Sequence, residues 1–404
     1  MRAMTGKQNT RQSRTSLTVA SLYSGCGGFD HGFKNVGFQL VGASDIEPTV
    51  VQTFNQNLPP IARVLDLGHR SPDHVSPDVL IAGAPCQGFS TAGKRLVSDP
   101  RNRLMVRAGE IAISMRPRVF ILENVPGALS GQHEGHWRLV EDMLRWHGFN
   151  VRTFVAQGCE SGVAQSRKRL FMLAWIGSDC IRIEPDKLPN LTLSQALNNV
   201  AHLADHDPIL LPPASREGRI AAKILPGQKL SNVRSSEAAV HTWDIPEVYG
   251  RVGKREIEIL EAVLVLRRRE RRRNFGDGDP VSVTSIRDWI GNDVQKALKS
   301  LVSKKYLRVV NRRFELVHTY NGKFRRLRWD APSPTVDTHF GDASLFLHPS
   351  DNRAFSAREA ARIQGFPDGF KFSGSRNSKF KMIGNAVPPP MAQRLAVFVR
   401  GALL

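Results

Sequence analysis

Val79-Leu80-Ile81-Ala82-Gly83-Ala84-Pro85-Cys86-Gln87-Gly88-Phe89-Ser90 is the stretch whose reading decides the fold. Its opening run is continuously apolar, the pattern of a strand buried on both faces, and the small residues and proline that follow end it. Cys86 then falls on the loop beyond the strand's carboxyl end, where open parallel sheets gather ligands and reacting groups. A free cysteine is ordinarily a small buried hydrophobe. Whether this one is a nucleophile depends on what the neighbouring strand ends bring to it.

Upstream, Leu17-Thr18-Val19-Ala20-Ser21-Leu22 reads as a strand entering Tyr23-Ser24-Gly25-Cys26-Gly27-Gly28 and then a helix. Closely spaced glycines let the backbone pass near a ligand, although a plain tight turn would explain them as well. The next strand, Gln39-Leu40-Val41-Gly42-Ala43-Ser44, ends at Asp45. That acid lies about 20 residues beyond the glycine turn, the spacing at which nucleotide-binding sheets present a carboxylate to ribose hydroxyls. A third strand around Arg63-Val64-Leu65 ends at Asp66. A glycine turn and two acids at successive strand ends fit a cofactor that carries adenosine.

Downstream, a helix containing Leu104, Ile111 and Ile113 precedes Val119-Phe120-Ile121-Leu122-Glu123-Asn124-Val125, where an apolar strand delivers another acid. A helix over about 136–146, a strand near Val151, and Gln165-Ser166-Arg167-Lys168-Arg169 feeding the strand Leu170-Phe171-Met172-Leu173-Ala174-Trp175 complete the series. Strands alternating with helices predict an α/β fold with a Rossmann-like, mostly parallel sheet.

The chain has 404 residues, 41% of them hydrophobic, enough for a core and for two or three domains. No apolar run approaches the roughly 20 residues of a membrane span, and the polar N-terminus has no secretory h-region. Residues 1–16, with Arg2, Lys7, Arg11 and Arg14, read as a disordered basic tail. Cys26, Cys86, Cys159 and Cys180 have no metal-ligand spacing, so no metal site is expected, and they fit a reducing compartment. Lysine plus arginine number 57 against 37 acids, a net +20 that points to a polyanion, most simply nucleic acid.

Near residue 180 the alternation stops, and 181–250 is proline-rich without a regular period. Within 254–317 an apolar helical stripe, Ile257, Leu260 and Leu264, runs into arginines beginning Arg267-Arg268-Arg269. A short helix over 285–290, a turn at Gly291, and a helix capped by Asn292 with Val294, Ala297, Leu298 and Leu301 on one face come next. A hairpin turning at Asn311-Arg312 closes the segment. That order is winged-helix-like, a DNA-reading arrangement, and makes the arginines a candidate phosphate strip. A basic scaffolding insertion is the plainer alternative.

The residues now quoted form an ordered set that resembles the DNA (cytosine-5-)-methyltransferases. The set runs through Tyr23–Gly28, Asp45, Asp66, Pro85-Cys86-Gln87, Glu123-Asn124-Val125 and Gln165 to Arg169. It continues through Arg353, Ser356, Arg358 and Glu359, then Gln364 and Phe366-Pro367, and ends at Gly384-Asn385-Ala386-Val387. The resemblance covers about 17–176 and 325–400. It implies S-adenosylmethionine as methyl donor, duplex DNA as substrate and a base flipped out of its stack. Cys86 would be the nucleophile, Glu123 the acid on the ring, and Arg167 and Arg169 the arginines that orient base and acid. Tyr23, Ser24, Gly25, Cys26, Gly27, Gly28, Asp45, Ile46, Asp66, Leu67, Pro85, Asn385, Ala386 and Val387 would hold the cofactor. Gln87, Ser90, Arg267, Arg268 and Arg269 would meet DNA.

Residues 17–180 would then form the catalytic domain, 181–372 the target-recognition domain, and 373–404 a returning segment that completes the first. A monomer acting on DNA in the cytoplasm, nucleoid-associated in a prokaryote, is expected, with a cognate restriction endonuclease left open as a partner. Two positions depart from the family pattern: Ser21 stands where many relatives carry an acid, and Ala164 where proline is frequent. Three rivals are a transfer-RNA cytosine-5 methyltransferase, a catalytically silent DNA-binding regulator, and an exocyclic-amine methyltransferase. The last relies on a Pro-Pro-aromatic motif that is not found where Cys86 sits.

Overall fold

The computed structural model describes residues 16–73, 76–85, 99–131, 134–177, 188–233, 235–274, 276 and 278–404. The basic tail up to residue 15, the loop carrying Cys86, Gln87 and Ser90, and Cys180 lie outside the described residues. The chain divides into two compact units, one built from the residues up to Leu191 together with Ala361–Leu404, the other from Thr192–Ala360.

The first unit is organised by a seven-stranded sheet. Its strands are β1 (Thr18–Leu22), β2 (Gln39–Asp45), β3 (Ala62–Val64), β4 (Val79–Gly83), β5 (Val119–Asn124), β6 (Asn150–Gln157) and β7 (Lys168–Trp175). Helices α1 (Gly28–Asn35), α2 (Pro48–Asn57), α3 (Arg103–Met115) and α4 (Glu134–Trp146) connect them. The order across the sheet is β3-β2-β1-β4-β5-β7-β6. Strands β1 to β5 pair in parallel, and β7 runs antiparallel to both β5 and β6. The mostly parallel α/β sheet expected from the sequence is therefore present.

Each central strand is apolar on both faces because each face is covered. Val19, Ile81, Ile121 and Phe171 point to one side, where Phe29 and Phe33 of α1 and Phe54 of α2 pack. Ala20, Leu80, Phe120 and Met172 point to the other, against Ala108 and Ile111 of α3 and Trp137 and Leu144 of α4. This double coverage is why the strands read as continuous apolar runs rather than alternating ones.

In the second unit, α5 (Leu193–Ala196), α6 (Arg216–Ala221), β8 (Lys229–Ser231), β9 (Ala239–His241) and α7 (Pro246–Tyr249) are short. They precede α8 (Lys254–Arg269), α9 (Val283–Ile290), α10 (Gln295–Ser303) and the hairpin β10 (Leu307–Val310) and β11 (Arg313–Leu316). These last five elements share a core of Leu260, Val263, Ile286, Leu298, Leu301 and Leu316. The hairpin turns at Asn311 and Arg312, at φ 50° and 60°, the left-handed pair that a two-residue turn matched to strand twist requires. Ser282 caps α9 through the Ser285 amide at 3.0 Å. The N-cap of α10 is Val294, with no side-chain cap, rather than the expected Asn292, whose carbonyl instead receives the Val294 amide at 3.0 Å.

Strands β12 (Arg325–Arg326) and β13 (Phe346–Leu347) lead to α11 (Ala357–Ile363). Within the second unit, Arg353 places Nη1 and Nη2 on the two carboxylate oxygens of Glu359, each at 2.8 Å. The Ser356 and Glu359 backbone amides exchange bonds with each other's side chains at 2.7 and 3.1 Å, a capping box. Arg358 is paired with Asp205.

Two helices then complete the first unit, α12 (Arg376–Asn385) and α13 (Pro389–Leu403). Helix α13 packs on α1 at Gly32, where a Cβ would lie 2.5 Å from both Ala392 Cβ and the Gln393 amide. Only glycine permits that approach without a backbone shift.

Candidate active site

The reversal of strand order falls between β1 and β4, and in open α/β sheets ligands bind in the crevice at such a point. A cavity of about 310 Å³ lies there, built wholly from the first unit. Its floor is the turn after β1. Tyr23, at φ 51°, and Gly25, at φ 56°, both take the left-handed conformation, and Gly25 presents its amide to Asp45 Oδ2 at 2.9 Å. The other Asp45 oxygen accepts from the Glu47 amide at 3.0 Å. Burial nevertheless outweighs these donors and holds the Asp45 carboxyl above its ordinary value.

Among the expected cofactor residues, Tyr23, Ser24, Gly25, Cys26, Gly28, Asp45, Ile46, Pro85, Asn385, Ala386 and Val387 all line the cavity. Gly27, Asp66 and Leu67 are not in its lining. Gly27 faces Leu58 and Phe54, where a Cβ would come within 2.5 and 2.9 Å. Leu67 is buried in the core beneath α3, and Asp66 accepts from the Gly68 amide at 2.9 Å. Cys26 is buried, and desolvation pushes its thiol up to about 12, so it is inert as a nucleophile.

The wall from the far end of the chain is pinned by side chains from the Gln165–Arg169 stretch and from Gln364. Arg167 donates through Nη2 to Gly384 O at 2.7 Å and to Ala386 O at 3.1 Å. Gln364 Nε2 adds a bond to the same Ala386 carbonyl at 2.7 Å, and Gln165 Nε2 reaches Ile363 O at 3.3 Å. These bonds fix the backbone that precedes Val387 and so set the position of that wall.

Glu123, the last residue but one of β5, pairs with Gly83, the last residue of β4, and lines the cavity. Arg169 of β7 approaches it diagonally across the β5–β7 pair, with Nε 2.6 Å from Oε1. Arg169, not Arg167, is thus the guanidinium against the acid. Burial pushes the Glu123 carboxyl up to about 7, and the attraction of Arg169 offsets only part of that rise. A carboxyl poised there can hold a proton and deliver it at neutral pH. Asn124, next in the strand, donates to Ala84 O at 3.4 Å and so ties β5 to the start of the loop that carries Cys86.

Several lining residues, Glu47, Lys381 and Asp30 among them, had no role in the sequence reading. Asp30, on α1, is 1% exposed, and burial pushes its carboxyl up to about 7. The signal that could have found it is an acid on a helix face otherwise occupied by Phe29, Gly32 and Phe33. In the second unit the arginine strip needs correction. Arg267 is buried and donates to Val233 O at 3.3 Å, so it does not present itself to a phosphate. It lies on the apolar stripe of α8, beside Val263 and Leu264, and its position in the helix turns it inward. Arg268 and Arg269 are exposed, the latter with its guanidinium 5.5 Å from the Trp289 ring centroid. Among the described residues no helix is long and apolar enough to cross a membrane.

Comparison with known proteins places these features. The sequence profile of the family described as C-5 cytosine-specific DNA methylase matches residues 17–398. The type II methyltransferase M.AgeI of Thalassovita gelatinovora is 30% identical, over 96% of this chain and all of that one. The type II methyltransferase M.DdeI of Desulfomicrobium norvegicum is 28% identical, over 94% and 88%. Among solved structures, the Entamoeba histolytica methyltransferase EhMeth superposes with a TM-score of 0.55 at 13% identity, covering 97% of this chain and all of that one, a likeness of fold.

Proposed function

The chain belongs to the C-5 cytosine-specific DNA methylase family and is a DNA (cytosine-5-)-methyltransferase, and from that premise we propose a mechanism for its site. The methyl donor is S-adenosylmethionine, the target is a cytosine flipped out of a specific duplex sequence, and Cys86 bonds transiently to its ring. The observation that carries the proposal is Glu123, protonatable near neutral pH, paired with Arg169 at the edge of the cavity.

The residues of the cavity fit the donor. Gly28 leaves a cradle against Val387 O, and the buried Ser21 Oγ, Ser24 Oγ and Asp30 Oδ2 have no hydrogen-bond partner among the described residues. Tyr23 would lie against the adenine, Asp45 would take the ribose hydroxyls, and Ala386 and Val387 would close the methionine end. S-adenosylmethionine supplies, when bound, an electrophilic methyl group on a sulfonium.

Carbon 5 of cytosine is too weak a nucleophile to take that methyl unaided. The Cys86 thiolate adds to carbon 6 while Glu123 gives its proton to ring nitrogen 3, which turns the ring into an enamine with electron density at carbon 5. After transfer, solvent water takes the carbon 5 proton, the carbon–sulfur bond breaks to release the thiolate, and ring nitrogen 3 returns its proton to the Glu123 carboxylate, which restores the aromatic ring. Arg169 holds the Glu123 carboxylate between these events, and Arg167 acts through the backbone it pins. Flipping the base costs a few kcal/mol, recovered by contacts in the pocket.

Target recognition falls to residues 181–372, of which Thr192–Ala360 is compact. The α8–β11 segment is read as winged-helix-like, with Arg268 and Arg269 on phosphates, and Gln87 and Ser90 near the flipped base. Relatives that are type II methyltransferases support a modification role alongside a restriction endonuclease of the same specificity, in the compartment that holds the DNA. The test is bisulfite sequencing of DNA from cells expressing the wild type or Cys86→Ser, with duplex containing 5-fluorocytosine to trap the adduct. Methylation at one recurrent sequence that Cys86→Ser abolishes, and a trapped bond at Cys86, are expected. Turnover near wild type in the variant, or an adduct on another side chain, overturns the mechanism.

A further inference from the structure

We propose that the Asp30 carboxylate is the counter-ion that receives the ammonium group at the amino-acid end of the methyl donor. The inference rests on the cofactor reading above and names the residue that selects that end of the molecule.

Asp30 lines the cavity, is 1% exposed, and has no ion-pair partner among the described residues. Its Oδ2 lacks a hydrogen-bond partner among the described residues, as does the buried Ser24 hydroxyl, which lines the same space, and the Ser21 hydroxyl stands beside the carboxyl. Two unpartnered oxygens, one of them anionic when ionised, suit a cation with several N–H donors, and a buried carboxylate without a counter-charge is costly until one arrives. Asp30 follows Gly28 by two residues, and a Cβ on Gly28 would meet Val387 O at 2.5 Å. Asp30, Asp45 and Val387 line the same cavity, and the methionine end that Val387 is read to close is the end that carries an ammonium. Asp30 stands on α1 beside the Ser21 hydroxyl of β1.

Among the described residues, the groups around Asp30 leave it without an ion pair. Strand β1 contributes Ser21, and the turn contributes Cys26, a neutral thiol at about 12. Asp45, Glu47, the Glu123–Arg169 pair and Lys381 of α12 are the remaining ionisable groups named in the cavity lining besides Tyr23. Helix α13 packs on α1 with the apolar Met391, Ala392 and Leu395, and His31 of α1 is held below its ordinary value by burial. Burial raises Asp30 to about 7, and the Ser21 hydroxyl opposes that rise. An arriving ammonium reverses the balance and drives the carboxyl to its ionised form. Binding of the amino-acid end thus releases a proton from Asp30 below about pH 7, and affinity rises with pH by up to about tenfold per unit in that range.

The experiment is titration calorimetry with S-adenosylhomocysteine and with 5′-methylthioadenosine, which lacks the amino-acid end, in two buffers of different ionisation heat between pH 5.5 and 8. The wild type should release about one more proton with S-adenosylhomocysteine than with 5′-methylthioadenosine near pH 6. Asp30→Asn should bind 5′-methylthioadenosine as the wild type does, lose roughly tenfold or more for S-adenosylhomocysteine, and lose the extra proton. Equal proton release with the two nucleosides in the wild type overturns the proposal even if the variant fails to fold. So does an Asp30→Asn protein that keeps wild-type affinity for S-adenosylhomocysteine. A wild type that binds neither nucleoside overturns the cofactor reading, and the proposal with it.

Discussion

Glu123 in the first unit and Glu359 in the second are both buried against an arginine, yet their surroundings push their carboxyls in opposite directions. Glu359 receives two parallel bonds from Arg353, each at 2.8 Å, and the Ser356 amide at 2.7 Å. Burial alone would raise it, but these donors overcome that penalty and leave it below its ordinary value. Glu123 has the single ion contact with Arg169, burial prevails, and its carboxyl stands at about 7. The same two residue types make a fixed charge where the carboxylate is fully coordinated and a proton donor where it is not. The first serves the fold, and the second leaves a group free to do chemistry.

The strongest way to break this contrast is Glu123→Gln. Removing a positioned acid costs about 10²–10⁴-fold in rate, and we expect methyl transfer into duplex DNA to fall by that range while chemical denaturation shows the protein no less stable. Activity within tenfold of wild type would show that Glu123 carries no proton in the reaction. The mirror experiment is Glu359→Gln, which leaves Arg353 buried with a poorer partner. Breaking such a pair costs about 3–5 kcal/mol, to be read as a lowered urea midpoint of the transition that includes the second unit. A midpoint equal to wild type would refute the fixed-charge role.

The pH dependence sharpens the same point, because the two signs differ. Glu123 is raised in the fold, so the native state binds its proton more tightly than the unfolded chain does. Its contribution to stability is full below about pH 4.3, its ordinary value, and is lost as pH rises through about 7. Glu359 is lowered, so its contribution is present above about pH 4.3 and is lost as pH falls through the depressed value. Denaturation curves of the two glutamine variants against pH should therefore differ from wild type in opposite pH directions. The turnover profile should also decline above about pH 7 in the wild type as Glu123 loses its proton.

The smallest effect separates neighbouring arginines. Converting Arg268 and Arg269 to glutamine should flatten the salt dependence of DNA binding by roughly one unit per lost phosphate contact. Arg267→Gln should leave that slope unchanged and lower stability instead, since Arg267 is buried on the Val233 carbonyl. An unchanged slope in the double variant would remove α8 from the DNA interface.

Much of this was legible in the sequence because it is local. Apolar runs that give out at Asp45, Gly83 and Asn124 mark where strands stop, and the alternation with helices fixes the fold class. Asn311-Arg312 between two short strand patterns marks a tight hairpin, and the ordered set of motifs marks the family. Cys86 itself stays a sequence argument, since its loop lies outside the described residues.

Partner choice is not local. Arg167 and Arg169 lie two apart on one chain and look interchangeable in sequence. The antiparallel register that sets Glu123 opposite Phe171 brings Arg169 to the acid, while Arg167 reaches the carbonyls of Gly384 and Ala386 more than two hundred residues away. Arg267 is one of a run of similar residues until the packing of α8 turns it inward. Asp30 is an ordinary first-turn acid until the fold buries it beside Ser21 with no ion-pair partner among the described residues. Sequence specifies which groups are offered and at which strand end. Burial and distance decide which of them are charged and what they touch, because both depend on segments brought together only by the folded chain.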